Sequence, residues 1–243
     1  DADALETVVE RCLAEKIDAL AVCFINAYVN PIHEEQAAKT LRNGLPGVSV
    51  TLSSELVPQI QEYERTSTAV VNAYIRPVIE RYTERLEARL RDIGIGVPLN
   101  IMQSNGGMLP ARVAAEKPIF VIESGPAAGV VGAQRLGQKL GFDDCIVFDM
   151  GGTTAKATII ANGQFSMAPE TEVGGDAALG HRMTQGSGYL VQAPTIDIAE
   201  VGAGGGSIAW IDSGGGIQVG PQSAGAMPGP ICYDQGGTKP TVT

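Results

Sequence analysis

The sequence predicts an α/β fold, and two observations carry the prediction. The first is a change of composition near Ile93: residues 1–93 hold 2 of the 31 glycines (Gly44, Gly47) but 25 of the 44 charged side chains. A charged, glycine-poor stretch reads as helices with solvated faces. The remainder, with about one glycine in five against a usual 7%, reads as short strands, tight turns and backbone-built sites. The second observation is that helical and strand patterns alternate along the chain. At 243 residues and 25.3 kDa there is chain enough for one large domain or two modest ones.

In the first stretch, Thr7–Glu15 reads as a helix and Ala19–Ile25 as a buried strand. Pro31 then opens a helix that runs to Leu45, a position where the missing N–H costs nothing. Val48–Leu52 alternates as a half-buried strand does. From Glu64 one long helix extends to about Asp92. Its apolar stripe is Val71, Ile75, Val78, Tyr82, Leu86 and Leu90, its charges form a solvated face, and Glu87–Arg91 makes an i,i+4 pair. Pro77 should kink or shift it.

In the second stretch, Pro98–Gln103 and Ile119–Glu123 read as strands, Pro126–Leu140 as a helix and Cys145–Asp149 as a buried strand. Apolar character resumes after Gly151-Gly152, over Ala155–Ala161. Strand, Gly-Gly turn and strand make a hairpin, not a strand-to-helix phosphate loop. Gln164–Met167, Ser207–Asp212 and Gly216–Val219 are further strand candidates.

Several function classes are excluded. A net charge of −10 argues against a nucleic-acid surface, which would carry a basic stripe. The longest apolar run, Ala19–Ile25, falls far short of a membrane helix. Cys12, Cys23, Cys145 and Cys232 are scattered with no CxxC pair, which favours reduced, mostly buried thiols in a cytoplasmic protein. GxxxxGK[ST], HExxH and GxSxG are all absent. With only His33 and His181 a His-rich metal site is impossible, and His181 reads as a surface residue.

The sharpest candidate for chemistry is Asp149-Met150-Gly151-Gly152-Thr153-Thr154-Ala155-Lys156. An Asp at a strand end can hold Mg²⁺, consecutive glycines let backbone N–H groups approach phosphate, and threonine hydroxyls add donors. A plain hairpin with an Asp-capped turn is an equal reading. Gly202-Ala203-Gly204-Gly205-Gly206-Ser207 fails as a dinucleotide fingerprint, because a strand and not a helix follows. It reads as a tight turn or as the backbone wall of a pocket. Ser104-Asn105-Gly106-Gly107 reads first as a turn. At Glu123-Ser124-Gly125-Pro126, a strand passes into a helix whose Ala128, Gly129, Gly132 and Ala133 suit close packing, with a ligand role left to Ser124 and Gly125. Asp197 and Glu200 read as an exposed pair, with an acid/base or metal role the lesser alternative.

Taken in order, these segments resemble the hydantoinase/oxoprolinase family, in particular its ATP-dependent large (A-type) subunit. The blocks are Glu64–Tyr74 (ERTSTAVVNAY), Gln103–Gly107, Ser124–Gly129, Phe148–Lys156, Gly202–Ala209, Gly220–Tyr233 and Gly236–Thr243. They span nearly the whole chain, and their order is more specific than any one of them.

The resemblance implies an actin-like or sugar-kinase-like ATPase lobe, a ribonuclease-H-like mixed sheet with flanking helices, here incomplete. Residues 1–63 would end an N-terminal domain. Residues 64–243 would begin the central domain, with 64–93 a connecting helix. The resemblance also implies ATP and Mg²⁺ as cofactors, with Asp149 holding the metal or orienting water. Gly151, Gly152, Thr153 and Thr154 would cradle phosphate, and Gly204, Gly205 and Gly206 would line the nucleotide or substrate cleft. Such proteins carry a first Asp-x-Gly-Gly-Thr hairpin near the start of the full subunit. None precedes Asp149 here, so the chain is expected to be an internal fragment, inactive alone. The implied activity is ATP-dependent hydrolysis of a cyclic amide of hydantoin or 5-oxoproline type, with a second, B-type subunit or domain as partner and neither nucleic acid nor membrane involved. The alternatives are a ketone carboxylase subunit and a non-catalytic nucleotide-binding or assembly module.

Overall fold

The computed structural model describes residues 2–174 and 188–243; His181 lies outside the described residues. The fold is mixed α/β with small sheets, as the alternating pattern predicts. Contacts group the chain into two compact units. The first comprises residues up to Ser124 with Pro169–Thr171 and Leu190–Thr195. The second comprises, among the described residues, Gly125–Ala168, the flanks of the Glu172–Tyr189 stretch, and Ile196–Thr243.

The first unit opens with helix α1 (Ala2–Glu15), strand β1 (Ala19–Val22), helix α2 (Ile32–Gly44) and strand β2 (Ser49–Leu52). β1 and β2 pair in parallel, Ala19 opposite Ser49 through Val22 opposite Leu52, with α2 as the crossover that parallel pairing requires. Cys12, Val22, Ala37, Ala38, Leu41, Leu45, Val50 and Leu52 form its core. Gly44 lets α1 close on the end of α2, because a Cβ there would stand 2.8 Å from the Val9 side chain. β1 stops at Val22, short of the expected Ile25, and Ile25 itself is exposed.

A one-turn helix α3 (Ser53–Leu56) leads to α4 (Glu62–Asp92), 31 residues that run on through Pro77. The expected apolar stripe is not its buried face: Val78 and Tyr82 are exposed, whereas Arg65, Thr68, Ala69, Asn72, Ala73 and Thr83 are buried. A polar face can turn inward because its groups find partners. Asn72 donates to Thr51 Oγ1 and to the Glu116 carbonyl (both 3.2 Å) and accepts from the Ile119 N–H at 3.1 Å. The i,i+4 ion pair formed is Arg76–Glu80 at 2.7 Å; Glu87–Arg91 is not among the ion pairs of the described residues.

Strands β3 (Asn100–Met102) and β4 (Met108–Pro110) form a hairpin around Ser104–Gly107, closed by Gln103 N–H to the Gly107 carbonyl at 2.8 Å, so that segment is a turn. Helix α5 (Ala111–Glu116) follows. The expected strand at Ile119–Glu123 is instead a 3-10 turn over Pro118–Val121. Proline sets its entry. Its polar groups are met by Asn72 and by Ser104, whose N–H donates to the Phe120 carbonyl and whose hydroxyl donates to those of Phe120 and Ile122.

In the second unit, helix α6 (Ser124–Leu140) packs Ala127 and Val130 against Ile160 and Ile196. Packing does not demand glycine at positions 125, 129 or 132, where a Cβ would meet nothing within 4 Å, but it does at Gly137, where a Cβ would stand 2.9 Å from the Phe142 carbonyl oxygen. Strands β5 (Cys145–Met150) and β6 (Ala155–Ala161) form the expected antiparallel hairpin, Cys145 opposite Ile160 through Met150 opposite Ala155. β5 is not buried on both faces: Ile146 and Phe148 are exposed, while Cys145 and Val147 pack toward the α6 cluster. Short strands β7 (Gln164–Phe165) and β8 (Met167–Ala168) come next in this unit, and along the chain β9 (Thr171–Val173), β10 (Tyr189–Val191) and β11 (Thr195–Ile196) then follow, each with residues assigned to both units. Strand β12 (Ala199–Val201) pairs with β6, giving the order β12-β6-β5. Strands β13 (Ser207–Ile211) and β14 (Ile217–Ser223) close the unit as a hairpin.

All four cysteines are free. The expectation of mostly buried thiols is corrected: Cys12 is buried, Cys23 and Cys145 are half-buried and Cys232 is exposed. No helix among the described residues is long and apolar enough to cross a membrane.

Candidate functional site

Asp149 occupies the penultimate position of β5, opposite Lys156 of β6, and is exposed. Two residues later the chain turns through Gly151-Gly152-Thr153-Thr154, where the Gly151 N–H donates to the Thr154 carbonyl at 3.0 Å. Gly151, Gly152 and Thr153 are exposed. Among the described residues the backbone N–H groups of Gly152 and Thr153 make no hydrogen bond, so two donors stand together at an exposed turn, while the half-buried Thr154 has its nitrogen on the side packed by Gly204.

The second glycine run is seated on the back of this turn. Gly205 N–H donates to the Gly151 carbonyl at 2.9 Å and Gly206 N–H to the Gly152 carbonyl at 2.7 Å. A Cβ at Gly204 would fall 2.6 Å from the Thr154 nitrogen and 2.7 Å from the Gly151 oxygen, and one at Gly206 would fall 2.9 Å from the Gly152 oxygen. Real Cβ atoms do not approach backbone so closely, so at Gly204 and Gly206 the missing side chain is what permits contact. By contrast, a Cβ at Gly152 would meet nothing within 4 Å. The structure therefore brings together Gly151, Gly152, Thr153 and Thr154 with Gly204, Gly205 and Gly206. Buried Ser207 completes the second turn by accepting the Gly204 N–H at 2.9 Å.

Glu200 and Asp197 do not form an exposed pair; both are half-buried. Glu200 sits opposite Lys156 in the β12–β6 register, and its carboxylate lies 3.4 Å from Lys156 Nζ. No cluster of three or more His, Cys, Asp or Glu side chains suited to a metal exists among the described residues. Asp149 offers a single exposed carboxylate, the kind of sparse protein ligation Mg²⁺ accepts when phosphate and water fill the rest of its shell.

A second polar centre, in the first unit, escaped the sequence reading. Glu34 is fully buried and accepts from the Phe24 N–H (2.8 Å), the Ser53 hydroxyl (2.6 Å) and the Ser54 N–H and hydroxyl (2.9 and 2.7 Å). Burial pushes its carboxyl up, but the Ser53, Ser54 and Phe24 bonds together outweigh that and hold it below the usual range. Arg65, also buried, lies 3.8 Å away and donates to Ser53, Glu62 and, at 2.9 Å, the Phe24 carbonyl. Its guanidinium stands 5.8 Å over the Tyr28 ring. Beside it, burial raises the Cys23 thiol. The signal available was two charges spaced on helices with no apolar role, which charge patterning assigns to solvent.

Comparison with known proteins agrees with the block order in the sequence. Residues 65–243 match the Hydantoinase/oxoprolinase family, and residues 1–45 match the Hydantoinase/oxoprolinase N-terminal region. The chain is 39% identical over 243 residues to caprolactamase subunit alpha of Pseudomonas jessenii, covering all of this chain and 33% of that one. The crystal structure of that ATP-dependent caprolactamase superposes with a TM-score of 0.75, over 100% of this chain and 33% of the other. Acetophenone carboxylase gamma subunit of Aromatoleum aromaticum is 31% identical over 252 residues, 100% of this chain and 32% of its own. For 5-oxoprolinase 1 of Arabidopsis thaliana the figures are 35% over 240 residues, 98% and 17%. The chain thus spans a third or less of these relatives, and along that span it belongs to the hydantoinase/oxoprolinase family.

Proposed function

We propose that the chain supplies the phosphate-binding hairpin of an ATP-dependent enzyme that opens a cyclic amide of hydantoin, lactam or 5-oxoproline type. The observation that carries the reading is the open Gly151–Thr154 turn, backed by Gly204–Gly206 and placed beside Asp149. Relatives named caprolactamase and 5-oxoprolinase supply the substrate class. An amide carbonyl is a poor electrophile; transferring a phosphoryl group to its oxygen makes a leaving group and exposes the carbon to water. The protein's contribution is positioning and charge neutralisation. The N–H groups of Gly152 and Thr153 would bind phosphate oxygens, and the Thr153 and Thr154 hydroxyls would add donors. Asp149 would hold Mg²⁺, which when bound neutralises phosphate charge.

In this reading residues 1–63 end an N-terminal region, residues from 64 onward begin the central ATPase-like domain, and 64–93 link them. The complete subunit works in the cytoplasm, where ATP is available, with a B-type subunit or domain completing the enzyme; subunit names among the relatives support an assembly. The carboxylase relative supports a second reading, a ketone carboxylase subunit.

Product analysis with the complete subunit and its partner separates these readings. Lactam- or hydantoin-dependent ADP release supports the hydrolase. ADP release that requires both bicarbonate and a ketone supports the carboxylase. No substrate-dependent ADP release would make the glycine turns scaffold in an assembly module.

A further inference from the structure

We propose that Lys156 is the positioning residue of this phosphate hairpin, held in place by Glu200 and set as the cation opposite Asp149. The inference rests on the nucleotide reading above and names a residue that the reading does not use. In the β12-β6-β5 sheet, Glu200 is opposite Lys156 and Lys156 is opposite Asp149. Directly opposed residues of antiparallel strands share a face, with Cβ atoms about 4.5–5.5 Å apart. The three side chains therefore make one transverse row of alternating charge.

The row's position gives it a task. It lies one residue pair before the Gly151–Thr154 turn on β5 and β6, and β12 leaves it directly for Gly202–Gly206. Glu200 and Lys156 thus tie together the two strands that deliver the two glycine runs. Their side chains are 22% and 13% exposed, so the pair is sheltered enough for its attraction to exceed that of a surface ion pair. Removing the ammonium would leave two carboxylates on one face, beside a turn proposed to receive a polyanion. The cation balances that row and keeps the Gly204–Gly206 backbone seated against the hairpin.

The test is steady-state kinetics and thermal melting of the complete subunit with its partner, using Mg-ATP. Lys156→Met should raise the KM for ATP about tenfold, which corresponds to losing one sheltered charge interaction, while kcat falls less. Lys156→Arg keeps the cation and should stay within about threefold of the parent. The swap Lys156→Glu with Glu200→Lys restores the bridge between strands but puts a carboxylate opposite Asp149. It should recover the melting temperature and leave the KM for ATP raised. A swap that recovers both would reduce the row to a strand clamp and overturn the proposal, as would an unchanged KM in Lys156→Met. Should Lys156→Met not fold, the Arg variant and the swap decide. Asp149→Ala, run alongside, separates the two levels: loss of ATP use there with a normal Lys156→Met rejects only this inference. Unchanged ATP use in Asp149→Ala rejects the nucleotide reading and this inference together.

Discussion

Gly204 stands against Gly151 so closely that a Cβ at position 204 would approach the Gly151 carbonyl oxygen to 2.7 Å, and its neighbour Gly205 donates to that same oxygen at 2.9 Å. Two turns far apart in sequence therefore act as one object, with Gly204–Gly206 as its back and the exposed Gly152 and Thr153 as its front. This division assigns different costs to different glycines.

Gly204→Ala forces a methyl group into backbone and should cost about 1–3 kcal/mol of stability, as overpacking does. Gly152→Ala has open space and should change stability by less than about 0.5 kcal/mol. Yet Gly152→Ala should weaken ATP binding, because its methyl points to where phosphate is proposed to sit. Urea melts and ATP titration of both variants check the contrast.

The Glu34 carboxylate is completely buried and its charge is balanced by Arg65 and four donated bonds. Glu34→Gln leaves the Arg65 cation without that partner and should cost about 3 kcal/mol at neutral pH. The carboxyl is held below its ordinary range, so its contribution is full above that range and fades as pH falls through the depressed folded value. The stability gap between parent and Glu34→Gln should accordingly narrow on acidification. Denaturant melts from pH 7 downward measure it; a gap constant with pH contradicts the role.

Asn72→Ala removes the acceptor of the buried Ile119 N–H and the donor to Thr51 and Glu116. Stability should fall by about 2–3 kcal/mol, since orphaned buried polar groups cost more than a lost contact. Hydrogen exchange at Ile119 should rise together with this loss.

These residues also show where sequence was readable. The β5–β6 hairpin was legible because Gly151-Gly152 punctuates two apolar runs, and α4 because no breaker but Pro77 interrupts it. The buried face of α4 was not, because apolar periodicity is blind to a face made of Arg65, Thr68 and Asn72, which is buried on the strength of hydrogen bonds. Ile119–Glu123 looked like a strand by composition. Only the distant Asn72 and Ser104 decide its backbone partners. Each candidate site residue was visible as a glycine-rich or Asp-bearing turn. The seating of Gly204–Gly206 on Gly151–Thr154 was not, because a glycine run signals close approach without naming what approaches.

The proposed role of the Asp149 hairpin is to bind nucleotide phosphate. Its most direct test is calorimetric titration of Mg-ATP into the complete subunit and its Asp149→Ala variant. The parent should bind saturably, and the variant should lose at least tenfold in affinity, about 1.4 kcal/mol. Equal binding by the two, or none by the correctly folded parent, would contradict it.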